Sequence, residues 1–117
     1  MHSDRIRQAL LDIRDNALLA RDFVGDLTVR EFAADRRTFY AVTRCLEIIS
    51  EAARRLDDDI RARHSEIPWR AVMGSGNIYR HDYDDVAEAF AWRTVKDSLP
   101  ALLAAVEWEL QDDERGC

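Results

Sequence analysis

The sequence predicts an all-α fold, an antiparallel bundle of four to five helices in a single domain over residues 1–117, and three observations carry that prediction. Apolar residues recur at alternating three- and four-residue steps in three long segments, which places them on one face of a 3.6-residue helix. No run of β-branched residues alternates with period two, and no Asn-Gly or Asp-Gly hairpin turn occurs. Only four Gly and two Pro are present in 117 residues, which leaves little turn material and favours few, long elements with short antiparallel connections.

The first stripe is Ile6, Leu10, Ile13, Ala17 and Ala20, with Ser3 or Asp4 as N-cap. The second helix begins near Thr28, where Thr28-Val-Arg-Glu31 has the form of a capping box, and breaks near Asp35. A long helix follows with Phe39, Val42, Leu46, Ile49, Ala53 and Leu56 on one face. It carries a second apolar edge at Tyr40, Cys45, Ile48 and Ala52. One stripe serves an intrachain core, so the second edge predicts a partner helix and, with it, a homodimer. A short helix is expected at Ile60–His64. Pro68 then opens another at its first position, with Trp69 as core anchor, and Gly74 and Gly76 interrupt it. The last stripe is Leu99, Leu103, Val106 and Leu110, preceded by Val86–Val95 at similar spacing. Pro100, which lacks an N–H, is expected to kink this region or mark a first turn capped by Ser98.

Composition bounds the function. Apolar residues make up 47% and charged residues 34%, which describes a folded, soluble chain. The N-terminus is charged with no apolar h-region, and the longest uncharged runs, 71–79 and 98–106, fall far short of the roughly 20 residues that span a bilayer. A cytoplasmic protein without membrane contact is expected. The two cysteines fit a core thiol at Cys45 and a tail residue at Cys117, with neither a disulfide framework nor a metal-ligand spacing. The net charge of −6 argues against broad nucleic-acid binding. Residues 61–83, however, hold Arg61, Arg63, Arg70 and Arg80 against Glu66 and Asp82. A small basic site in an acidic shell suits a short, positioned phosphodiester better than a long duplex.

Chemistry-bearing residues concentrate in IPWRAVMGSGNIYRHDYDDV, residues 67–86. Gly74 to Tyr83 alone contain Asn77, Tyr79, Arg80, His81 and Tyr83. Imidazole moves protons at neutral pH and guanidinium holds phosphate bidentately. Metal-independent RNA cleavage needs that pair: His81 as general acid/base at the ribose 2′-hydroxyl or the leaving 5′-oxygen, and Arg80 against the charge of the transition state. Asn77 lies four residues before His81, so the two share one face if residues 77–83 are helical. Arg70 and Tyr79 are candidate substrate contacts. Asp82, Asp84 and Asp85 read as solvating residues, with Asp85 a possible cap of the next helix, and neither a metal nor a cofactor is expected. His2 and His64 are expected on the surface. Arg44 and Glu47 either face the cluster or form a solvated pair.

Three segments, AVTRCLEIISEAARRL (41–56), IPWRAVMGSGNIYRHDYDDV (67–86) and DSLPALLAAVEWEL (97–110), resemble the HepT-like branch of the HEPN superfamily. The resemblance implies a homodimeric helical bundle whose Arg-x4-His-x-Tyr motif lies at a cleft between subunits. It further implies a metal-independent ribonuclease toxin, silenced when a nucleotidyltransferase antitoxin attaches AMP to the motif tyrosine. On this chain the motif His is His81 and the motif Tyr, the AMP acceptor, is Tyr83. The motif Arg position is occupied by Gly76, while the Asn that commonly follows it is retained as Asn77; Arg80 or Arg70 is left to supply the guanidinium. Two alternatives therefore stand beside the toxin. One is a catalytically degenerate dimer that binds a nucleotidyltransferase and accepts AMP, and the other is a helical dimerisation module with neither activity.

Overall fold

The computed structural model describes residues 2–74 and 84–115, which form seven α-helices and no strand among them. They are α1 Asp4–Val24, α2 Val29–Ala34, α3 Arg36–Arg54, α4 Asp58–Arg63, α5 Trp69–Gly74, α6 Asp84–Arg93 and α7 Leu99–Arg115. The long helix α3 is the centre, flanked by α1, α2, α5 and α6, and α1 packs in turn on α7.

The caps fall where the side chains can reach orphan amides. The Ser3 hydroxyl accepts from the Ile6 amide at 3.2 Å. Thr28 and Glu31 form the reciprocal capping box, each side chain accepting from the other residue's amide at 3.1 and 2.9 Å. Asp35 ends α2 and starts α3, accepting from the Thr38 hydroxyl at 2.7 Å and the Thr38 amide at 3.2 Å. Those bonds favour the ionised carboxylate and hold Asp35 below its ordinary range. Asp57 caps α4, and the chain leaves α1 through Gly25, whose φ of +50° suits glycine.

All three stripes are buried, apart from Ile6, which is half-buried. The second edge of α3 is covered only in part. Cys45 and Ala52 are buried within the single chain, Ile48 is half-buried, and only Tyr40 stands out, 61% exposed. A helix with neighbours on several sides needs an apolar surface wider than one stripe, so the buried part of this edge needs no partner helix.

Pro100 is the second residue of α7 and so falls in its first turn, one of the two placements expected for it. α6 runs into α7 through a π-helical turn at Thr94–Ser98, where the Leu99 amide donates to the Thr94 carbonyl five residues back. Proline cannot donate to the carbonyl four residues before it, and its ring crowds that carbonyl; widening the turn relieves both problems. Ser98 accordingly lies inside the turn and caps nothing, contrary to expectation. Trp92 Nε1 donates to the Leu27 carbonyl at 2.9 Å and Lys96 Nζ to the Gly25 carbonyl at 2.8 Å, fixing this bend against the α1–α2 connection.

His2 and His64, expected on the surface, are instead drawn inside by a buried acid. Glu109 on α7 is 1% exposed. Arg63 donates to both its oxygens at 2.8 and 3.1 Å, and His64 Nε2 meets Oε2 at 2.6 Å. His2 Nε2 approaches Oε1 to 2.9 Å, an ion-pair contact without hydrogen-bond geometry. A buried carboxylate needs partners, and here the end of α4 and the N-terminus supply them. Burial pushes the Glu109 carboxyl up; the bonds from Arg63 and His64 outweigh that and hold it below its ordinary value. The rings of His64 and Trp108 meet edge to face, with centroids 5.6 Å apart.

Candidate functional site

Asn77, Tyr79, Arg80, His81 and Tyr83, together with Gly76 at the motif-arginine position, lie outside the described residues; of the predicted site only Arg70 is described. The helices on either side of 75–83, α5 and α6, both pack on α3.

α5 begins at Trp69, whose Nε1 donates to the carbonyls of Arg61 and His64 at 3.1 and 3.0 Å, tying the helix to the end of α4. At its other end the Met73 carbonyl accepts from the Ser50 hydroxyl and from the Arg54 guanidinium, both on α3. A helix of six residues has little stability of its own, so these anchors and the burial of Val72 hold it. Arg70 is exposed on α5, one turn before Gly74, and takes no ion-pair partner among the described residues.

α6 begins at Asp84, which places Asp85 at its second residue. Glu88 on α6 is 4% exposed and pairs with Arg36 at the start of α3. Arg36 also lies over the rings of Phe39 and Tyr40, 5.1 and 5.2 Å from their centroids, and reaches the Tyr40 hydroxyl at 3.3 Å. This pairing fixes the helix that follows the motif, and the sequence reading passed over it. Its signal was Glu88 between Ala87 and Ala91, an acid at apolar spacing.

Between α5 and the α6–α7 bend lies a groove of about 210 Å³. Ile49 of α3 is at its base, Ala71 and Val72 form one side, and Phe90, Arg93 and Asp97 are on the other. Phe90 is 41% exposed, and Arg93 and Asp97 are exposed. Neither charged group takes an ion-pair partner among the described residues, although they stand four apart in sequence. The π turn falls between them and shifts the register that would otherwise align an i,i+4 pair. Arg93 was not among the predicted site residues.

Of the other candidates, Arg44 is exposed and Glu47 half-buried on α3. Cys45 is buried, and desolvation pushes its thiol above the ordinary range. Among the described residues no three His, Cys, Asp or Glu side chains are arranged to hold a metal ion, and no helix is long and apolar enough to cross a membrane.

Comparison with known proteins bears on the chain as a whole. The family model described as ribonuclease HepT-like matches residues 13–108, which include the whole motif segment and both helices beside it. A protein of Thermococcus cleftensis named "Probable ribonuclease HepT" is 35% identical over 98 residues, covering 84% of this chain and 89% of its own. A Methanocaldococcus jannaschii protein named "Putative RNase MJ1380" is 33% identical over 102 residues, covering 87% of this chain and 94% of its own. No solved structure matches the chain significantly. An all-helical fold built on these stripes, together with a family match that runs through the His81-x-Tyr83 segment, establishes that the chain belongs to the HepT-like ribonuclease family of the HEPN superfamily.

Proposed function

We propose that this protein is the toxin of a toxin–antitoxin pair, a cytoplasmic, homodimeric, metal-independent endoribonuclease whose proton-transfer group is His81. The observation that carries the reading is the family match over residues 13–108, because it spans the one segment where imidazole, phenol and guanidinium are concentrated. In the reaction His81 removes the proton of a ribose 2′-hydroxyl. The 2′-oxygen then bonds to phosphorus, the bond to the 5′-oxygen breaks, and that oxygen takes up a proton; the products carry a 2′,3′-cyclic phosphate and a 5′-hydroxyl. Asn77 assists His81 at the reacting phosphodiester, and Tyr79 and Arg70 contact the substrate. Arg80 is the nearest guanidinium in sequence for the phosphate, and Arg70, exposed on α5 with no ion-pair partner among the described residues, is the other.

Regulation runs through Tyr83. Its phenolic oxygen attacks the α-phosphorus of ATP in a nucleotidyltransferase partner, pyrophosphate leaves, and AMP on the motif tyrosine fills the cleft between subunits.

Gly76 favours a second reading, since a transition-state phosphate contact is lost at the motif-arginine position. In that reading the dimer binds the nucleotidyltransferase and accepts AMP with little cleavage of its own.

One experiment addresses both. The protein is expressed alone and together with the neighbouring nucleotidyltransferase, and intact mass is measured. Growth arrest by the protein alone, relieved on co-expression as wild type but not Tyr83→Phe gains the mass of AMP, is the expected result. AMP gain without arrest supports the second reading. Harmless expression with no added mass, or equal gain in Tyr83→Phe, contradicts both.

A further inference from the structure

We propose that the groove between α5 and the α6–α7 bend receives one base of a single-stranded RNA and selects guanine through Asp97. The inference rests on RNA being the substrate, as proposed above. At about 210 Å³ the groove is smaller than sites that enclose a whole drug-sized ligand, and it fits a single planar ring system. Its apolar base at Ile49 and its half-exposed aromatic ring, Phe90, offer a face on which a base stacks, the recurring way of holding unpaired nucleotides. Arg93 on the same side supplies a cation for the phosphate flanking that base. The groove also adjoins both helices that border the motif segment, so a base held there belongs to the strand being cut.

The choice of base follows from which groups are uncommitted. The Thr94 hydroxyl donates to the Phe90 carbonyl at 2.8 Å and is already used. Asp97 has no ion-pair partner among the described residues and, when ionised, only accepts hydrogen bonds. On its Watson–Crick edge guanine presents two adjacent donors, N1–H and the N2 amino group. Adenine and cytosine set a ring-nitrogen acceptor beside their amino group, and uracil flanks its N3–H with two carbonyls. A carboxylate therefore pairs bidentately with guanine alone and meets a repelling acceptor on each other base.

The test uses the full chain and pyrimidine deoxyhexamers carrying one guanine, one inosine (which lacks the N2 amino group) or one adenine, with affinity read by fluorescence anisotropy. Wild type is expected to bind the guanine oligomer about tenfold more tightly than either of the others. Asp97→Asn is expected to bring the three within about twofold, and Phe90→Ala to weaken all three alike. Asp97 is exposed, so circular dichroism should show unchanged helix content. Equal binding of guanine and inosine by wild type, a guanine preference surviving in Asp97→Asn, or no binding at all overturns the assignment. Deoxy oligomers lack the 2′-hydroxyl and cannot be cut, so the outcomes separate. Guanine preference in a protein that never cleaves RNA sinks only the ribonuclease reading, and cleavage without guanine preference sinks only the groove.

Discussion

Replacing Glu109 by alanine is expected to destabilise the protein by about 3 kcal/mol, the lower end of what breaking a buried ion pair costs. The lower end applies because Arg63 is 44% exposed and can turn to water, whereas the His2 and His64 side chains, 8% and 12% exposed, cannot. For a domain of this size the melting temperature should fall by roughly 10 °C. Glu109→Gln keeps the shape but places an amide N–H₂ where Arg63 and His64 offer donors, so it should fare little better. The pH dependence has a definite sign. Glu109 is held below its ordinary value, so its contribution is complete above the unfolded glutamate pKa of about 4.3 and is lost as pH falls through the lower folded value. Thermal denaturation from pH 7 down to pH 3 checks this. The gap between wild type and Glu109→Gln should close on acidification, and a gap that is constant with pH would contradict the assignment.

His81→Ala is expected to lower kcat/KM for RNA cleavage by about 10²- to 10⁴-fold, the usual share of a general acid/base, with thermal stability unchanged within about 0.5 kcal/mol. Gly76→Arg should act in the opposite direction. A single group that stabilises transition-state charge is worth about 10²- to 10³-fold, so restoring the motif guanidinium should raise cleavage measurably if its loss limits the present chain. The double variant is the informative case. If Gly76→Arg raises activity through the same site, His81→Ala should abolish the gain; a gain that persists without His81 would place the chemistry elsewhere. Steady-state cleavage of a fluorescently labelled single-stranded RNA reads all three variants.

The helices were legible because their signals are local. Stripe spacing, the Thr28–Glu31 box and the Asp35 break each depend on residues within a turn or two. What escaped depends on contacts between elements. Glu109 stands seven residues after the fully buried Leu102, on the same helical face, but the stripe drawn through Leu99, Leu103, Val106 and Leu110 left both residues aside. With Glu109 unassigned, nothing called His2 or His64 inward. The second edge of α3 was visible, but periodicity shows how much apolar surface a helix has and not how much of it the same chain covers, here Cys45 and Ala52 but not Tyr40. Pro100 announced a kink or a first turn, yet not that a π turn just before it would separate Arg93 from Asp97. Arg93 itself looked like any surface cation until the fold set it beside Ala71 and Val72. Residues 77–83 were legible through their side-chain chemistry and through the family resemblance of segment 67–86.

The central claim is that this chain cleaves RNA by 2′-hydroxyl attack driven from His81. Its most direct test is to incubate purified wild type and His81→Ala with single-stranded RNA in excess EDTA and identify the product ends by mass spectrometry. The account predicts 2′,3′-cyclic phosphate and 5′-hydroxyl ends from wild type, and intact RNA from His81→Ala. Cleavage that EDTA abolishes, products ending in 5′-phosphate, or equal cleavage by both proteins would contradict it.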